Sequence, residues 1–353
     1  MKNFKGFFWA FSWIFFISSQ AFCATETKSS YNKKISNKQE KTESTKVIKN
    51  NDFKNSITAS IDKISGKADE LVYDGARKLS HLEWDIKNLQ MLSIGFNSRV
   101  PDRFMEGIEG FEARVKFSNA INGGNGRMVD SDWIGNGYDG NIDHENWTDR
   151  SFSDTKIQKA QQFDIAGSFN VYQDEFRFNF GYKYERFKWR DYGGPYIYSE
   201  YGGFRNYVDN SNGERGITYE QIFETPYIGI EYKKELFDKK ISTNIFANYS
   251  NLVMAQDRDM HHNTNIKYKE YFTNGEYINW GANILGKLKE NLYLGLGYEY
   301  VYYPENKGYT VLQNLNKNET FRLEDDSAGI RNKYSKISLN LKYNFTTNSN
   351  LFY

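Results

Sequence analysis

The chain has 353 residues, 17% aromatic and 26% charged, with a formal net charge of +1 and a mean hydropathy of −0.76. That polarity excludes a bundle of membrane-spanning helices, each of which needs about 20 consecutive apolar residues. One cysteine excludes a disulfide scaffold and a multi-thiolate metal site. Many aromatics in so polar a chain fit a transmembrane β-barrel, in which only every second residue faces lipid, with a soluble β-sandwich as the alternative.

Residues 1–23 read as a secretory signal. Lys2 and Lys5 precede an apolar run over 6–17, and small residues follow as far as Cys23. Cleavage after Cys23 removes the only thiol. Residues 24–56 hold eight Lys, four acids and almost no large apolar side chains, so they read as a flexible basic tail or linker. The remainder, 57–353, carries 36 basic and 41 acidic groups, net −5. A mildly acidic folded part speaks against nucleic acid as a partner.

From residue 57 onward the chain alternates with period two, the mark of strands with two different faces. Leu82, Trp84 and Ile86 alternate with Glu83, Asp85 and Lys87. Further sets run through Phe111–Phe117, Phe163–Val171, Phe176–Tyr184, Ile241–Tyr249, Leu292–Tyr302 and Ile337–Phe345, with less regular runs at 57–73, 217–232 and 266–284. The count is ten strands. An even number lets an antiparallel sheet close on itself and satisfy every backbone group inside lipid. Tyrosines crowd strand ends at Tyr298, Tyr300, Tyr302 and Tyr303, suiting the lipid–water boundary. Short connections at 173–175 and 238–240 contrast with long ones at 118–160, 190–216 and 303–333, as expected of the two sides of an outer-membrane barrel.

Chemistry has few places to reside. There are four His, no Ser–His–Asp order and no HExxH spacing. Two i, i+2 groups stand out, Asp130–Ser131–Asp132 and Asp257–Arg258–Asp259–Met260–His261. On a strand, i and i+2 share a face, so each group projects together. Close carboxylates raise one another's pKa, and an Asp beside a His favours the imidazolium and fixes its tautomer. A water held between His261 and the Asp130/Asp132 pair is a candidate for general-base hydrolysis. Exposed acidic strand ends, or a divalent-ion site, are the alternatives that these short spacings leave open.

Longer stretches are more specific. They include Ser65–Gly66–Lys67 with Glu70, Gly126–Trp133, Asn146–Asp149, Gly193–Ser199, Asn212–Arg215, Pro226–Gly229 and Asp257–His261. In these the chain resembles the omptin family of outer-membrane proteases, over about residues 57–345. The resemblance implies a ten-stranded barrel with an outward-facing cleft that cuts peptide bonds between basic residues through an activated water. It implies Asp259 and His261 as the Asp–His pair and Asp130 and Asp132 as the facing pair. Glu70 and Asp257 match acids that pair with a basic side chain at the scissile position, Met128 and Ile217 the apolar walls of that pocket, and Asp149 an acid favouring a basic residue on the leaving side. It implies lipopolysaccharide bound on the barrel wall and needed for activity, but no other cofactor. Arg186 matches one residue of that site, whereas Ile222 stands where another Arg is expected. The tail at 24–56 and the extension 346–353 depart from the family pattern.

The expectation is therefore an all-β, ten-stranded antiparallel transmembrane barrel with long extracellular loops in the outer membrane of a Gram-negative bacterium. It would act as an endopeptidase on polypeptides with basic residues. The rival reading is a barrel that binds without cutting, such as an adhesin.

Overall fold

The computed structural model describes residues 52–101, 108–134, 146–211 and 213–347. The expected signal, the tail up to residue 51 and the extension from 348 lie outside these residues. Every regular element among the described residues is a strand. In chain order they are β1 Phe53–Asp74, β2 Arg77–Arg99, β3 Glu112–Ala120, β4 Asn125–Asp132, β5 Asp149–Tyr172, β6 Phe176–Asp191, β7 Pro195–Tyr198, β8 Tyr207–Asn210, β9 Ile217–Leu236, β10 Ile241–His261, β11 Ile266–Lys289, β12 Leu292–Asn314, β13 Glu319–Arg322 and β14 Ala328–Thr347.

Ten antiparallel positions form a closed ring, because β14 pairs with β1 from Phe53↔Thr347 to Val72↔Ala328. β3 and β4 fill one position. Both pair with β2 and with β5, and they are successive halves of one interrupted strand. β7, β8 and β13 are short additions beyond the ring. Closure leaves no open edge, the condition for a sheet in lipid.

The alternation has the physical cause expected of it. Ile57 and Ile61, Ile94 and Phe96, Phe117, Ile228 and Ile230, Ile245, Ile284, Leu296, and Ile337 to Leu341 point outward as an exposed apolar belt. Their neighbours Ser60, Asp62, Asn179, Lys183, Glu231, Asn248, Lys336 and Ser338 are buried inside. Trp280 packs against Tyr298 and Tyr300 on the outer face, whereas Tyr303 turns inward and is buried.

Two boundaries differ from the sequence reading. Phe53–Ser56, assigned above to the tail, already pair with 344–347, and Thr346 and Thr347 belong to β14 rather than to an extension. The ladder there is held by backbone bonds and by Asn55 donating to Thr347, which composition does not reveal. The connections expected at 118–160, 190–216 and 303–333 also contain strand, namely β4, the start of β5, β7, β8, the end of β12 and β13. Beyond the belt neither face meets lipid, so the apolar alternation fades although the ladder continues. The two rims are not strictly short and long. The belt-distal rim has a tight β1–β2 turn at Gly75, whose φ of 60° suits glycine. At the belt-side rim, β2 ends at Arg99 and β3 begins at Glu112, a longer gap than at 173–175 or 238–240.

Candidate active site

Beyond the belt, the strands carry their inward side chains into a cleft. Its floor is aromatic. Trp84 of β2 stacks on Tyr219 of β9 at 5.3 Å across the lumen, and Trp189 of β6 stacks on Tyr219 at 5.9 Å. All three are fully buried. Trp189 Nε1 donates to the Asp85 carbonyl, which ties β6 to β2.

On one wall, the end of β10 projects Asp257, Asp259 and His261 inward. Asp257 and Asp259 are buried, and His261 is half-buried. His261 Nε2 lies 2.5 Å from Asp259 Oδ2, and the ring meets Tyr268 edge-on at 5.2 Å. Its neighbour His262 is committed elsewhere. Its Nε2 bonds Thr218 Oγ1 at 2.9 Å, and its backbone N–H donates to the Gly216 carbonyl. Of the adjacent pair, it is therefore His261 that joins Asp259.

On the facing wall, β4 projects Met128, Asp130 and Asp132, laddered to Trp84, Leu82 and Ser80 of β2. Ser80 Oγ donates to Asp130 Oδ1 at 3.2 Å. The two walls feel each other. Burial works against charge on His261, yet Asp259, then Asp130 and Asp132, hold its pKa above the ordinary 6.5. Burial first, and then Asp132, push Asp130 well above the usual carboxylate range, while His261 pulls the other way. Burial, with Asp149 nearby, raises Asp132 to about 6. Close, buried carboxylates of this kind favour keeping a proton on one of the two.

Next to Asp259 lies an acidic pocket. Glu70 of β1 and Asp257 are almost wholly buried and titrate well above their ordinary range, chiefly through burial and then through neighbouring carboxylates. Tyr219 donates to Asp257 Oδ2 at 3.1 Å. Glu70 Oε2 and Asp257 Oδ1 have no hydrogen-bond partner. Met128 and Ile217 are buried in the apolar cluster containing Trp84 and Tyr219. Asp191 fixes Ile217 by accepting the N–H groups of Gly216 and Ile217 at 2.9 and 2.6 Å.

Asp149 is the ladder partner of Asp132. Both its oxygens are occupied, by Thr148 Oγ1 at 2.6 Å and Ser199 N–H at 2.9 Å. It can act on a ligand through its field rather than a free oxygen. Arg186 is not in the cleft. It sits on the outer wall, 2.5 Å from Glu220, opposite Ile222 in the ladder. Asp69, His81 and Glu83 gather on the outer wall within 4.8 Å, a spacing that would suit a metal ion. Arg331 already takes both oxygens of Asp69, and Lys67 binds Glu83, so protein cations neutralise that group.

Sequence reasoning missed Ser80, Asp191, Tyr219 and Glu270. Each becomes functional only through a cross-strand neighbour, as Glu270 does by facing Asp257 in the ladder. The signal that would have found them is strand register, which one sequence does not supply.

The chain matches known proteins. A model of the omptin family fits residues 19–345. The plasminogen activator of Yersinia pestis is 29% identical over 298 residues, covering 82% of this chain and 89% of its own. Protease 7 of Escherichia coli O157:H7 is 29% identical, covering 81% and 89%. The crystal structure of outer membrane protease OmpT from Escherichia coli superposes with a TM-score of 0.73 at 27% identity, over 83% of this chain and 97% of that one.

Proposed function

The chain belongs to the omptin family and is an outer-membrane protease acting on polypeptides; from that premise we propose that it cleaves beside basic residues, at dibasic sites, using a water activated by His261. The observation that carries the reading is the Asp259–His261 pair, 2.5 Å apart at the end of β10, inside the same cleft as Asp130 and Asp132 of β4.

In the proposed reaction, a scissile carbonyl lies between the two walls with a water beside it. Asp259 holds His261 through Nε2, which leaves Nδ1 to take a proton from the water as its oxygen attacks the carbonyl carbon. Negative charge develops on the carbonyl oxygen. The protonated member of the Asp130/Asp132 pair donates a hydrogen bond to it, which a fully ionised pair could not do. The imidazolium then protonates the departing amine, and the peptide C–N bond breaks. No protein nucleophile is needed. A basic side chain before the scissile bond enters the pocket of Glu70 and Asp257, where charge-assisted hydrogen bonds favour Arg or Lys. Asp149 biases the leaving side toward a basic residue by its charge. The cleft opens to the cell exterior in this reading, since the short-turn, chain-end rim then faces inward.

The proposal extends to the membrane. Arg186 and Arg258 share Glu220 on the outer wall beyond the apolar belt, which supports contact with a lipopolysaccharide phosphate there. Ile222 removes one cation from that surface, so a modest dependence on lipopolysaccharide is expected.

A quenched peptide with Arg–Arg at its centre, incubated with detergent-refolded protein, tests the reading. Cleavage between the arginines, lost when Asp replaces either one, supports it. No cleavage with lipopolysaccharide present would leave a barrel that binds without cutting.

A further inference from the structure

We propose that Glu270 is a third carboxylate of the basic-residue pocket and makes it select arginine over lysine; this rests on the proposed function for the presence of a substrate there. Glu270 is the direct ladder partner of Asp257 on the neighbouring strand β11, and its side chain is 2% exposed. Its Oε1 accepts from Thr310 Oγ1 at 2.8 Å, and Ser327 Oγ stands behind Thr310 at 3.4 Å. Its Oε2 has no partner.

Asp257 is held in the same way, with Oδ2 anchored by Tyr219 and Oδ1 unpartnered, and Glu70 Oε2 is unpartnered too. Three strands thus each bring a buried carboxylate oxygen that no amide, hydroxyl or cation of the protein reaches. Among the described residues, no lysine or arginine forms an ion pair with any of the three. A buried carboxylate without a cation costs several kcal/mol of desolvation that nothing inside the protein returns. In the empty pocket the cost is met with protons. Asp257 and Glu270 are within hydrogen-bonding reach of each other, and burial raises Glu270 to about 7.

The geometry favours a guanidinium. Laddered side chains lie about 4.5–5.5 Å apart at Cβ, so Asp257 and Glu270 present two carboxylates side by side. A planar fork with five donors can bridge both and still reach Glu70. A compact ammonium meets them as a point charge and leaves an oxygen unsatisfied. Entry of arginine expels the shared proton, so binding strengthens as pH rises through the range in which Glu270 ionises.

The test uses the full refolded chain with lipopolysaccharide and two labelled peptides that differ only in Arg or Lys before the scissile bond. Cleavage is measured on the parent and on Glu270→Gln and Glu270→Asp. Binding is followed separately by fluorescence anisotropy in a His261→Ala background. The parent should prefer the Arg peptide by about tenfold, and Glu270→Gln should reduce that preference to about twofold. The change should fall on KM rather than kcat, remove the rise in affinity with pH, and be partly restored in Glu270→Asp. Cleavage with an unchanged Arg-to-Lys ratio in Glu270→Gln overturns the proposal and leaves the proposed function standing. Glu270-dependent Arg binding without cleavage by the parent keeps the pocket and overturns the proposed function. Neither binding nor cleavage, by protein whose heat-modifiable mobility shows a folded barrel, overturns both.

Discussion

Two polar clusters are buried in the same barrel, and they are built on opposite principles. Within the belt, Lys183 lies 3.4 Å from Glu185 and 3.3 Å from Glu299, Lys336 also binds Glu299, and Tyr303 and Tyr334 donate to Glu185. Nearby polar side chains line a cavity of about 170 Å³. Each of these ion pairs joins side chains of opposite sign within the protein. Beyond the aromatic floor, Glu70, Asp257, Asp259 and Glu270 crowd together, and each keeps a buried oxygen with no donor. The first cluster is a self-neutralised plug that braces the wall. The second gathers acids to which no lysine or arginine is paired among the described residues, a set that a basic group from outside would complete. The presence of cations among the acids, rather than burial alone, separates the structural cluster from the candidate binding one.

The contrast can be broken by mutation. The largest effect should come from the facing wall. Asp130→Ala should reduce kcat/KM on the Arg–Arg peptide by about 10²–10⁴-fold, the range of a lost acid–base group, with the heat-modifiable barrel still forming on gels. Next comes the plug. Lys183→Met takes from Glu185 its cation and from Glu299 one of two, and should destabilise the barrel by about 3–5 kcal/mol in denaturant titrations. The protein that remains folded should keep the parent kcat/KM. A plug mutation that abolished cleavage in folded protein would erase the distinction.

Smaller effects sharpen it. His261 is held above 6.5, so it is charged and useless as a base at acid pH, and kcat/KM should climb only as pH passes that raised value. Asp259→Asn removes the principal anion holding it there. The surviving activity should then rise at lower pH than in the parent, as pH–rate profiles would record. The smallest effect concerns stability. Glu70 keeps its proton in the folded pocket at pH values where the unfolded chain has lost its own. The stability from this group is complete below the ordinary value of 4.5 and drains away as pH rises toward the folded value. Glu70→Gln should therefore raise the temperature of heat modification at pH 8 and change it little at pH 4.

The belt was legible in the sequence because lipid imposes a rule on every second residue. Ile337, Leu339 and Leu341 could alternate with Ser338 and Asn340 for no simpler reason. Asp259 and His261 were legible because their partnership is local, two residues apart on one strand. Their meeting with Asp130 and Asp132 could be raised only as one candidate among others before the resemblance assigned it, since it depends on how the ring closes. Glu270 and Tyr219 stayed hidden for the same reason. Each lies next to Asp257 on a paired neighbouring strand through register, and nothing in its own neighbourhood along the chain marks it. The reach of β5 and β12 past the belt was hidden because an inward polar face opposite an outward polar face leaves no periodic trace.

The central claim is that imidazole and carboxylates on opposite walls act on one water at a basic site. Its most direct test is mass-spectrometric analysis of the Arg–Arg peptide after incubation with folded parent protein and with His261→Ala. The account predicts one cut, between the two arginines, by the parent and none above background by the variant. Equal cutting by both, or a parent cut away from the basic pair, would contradict it.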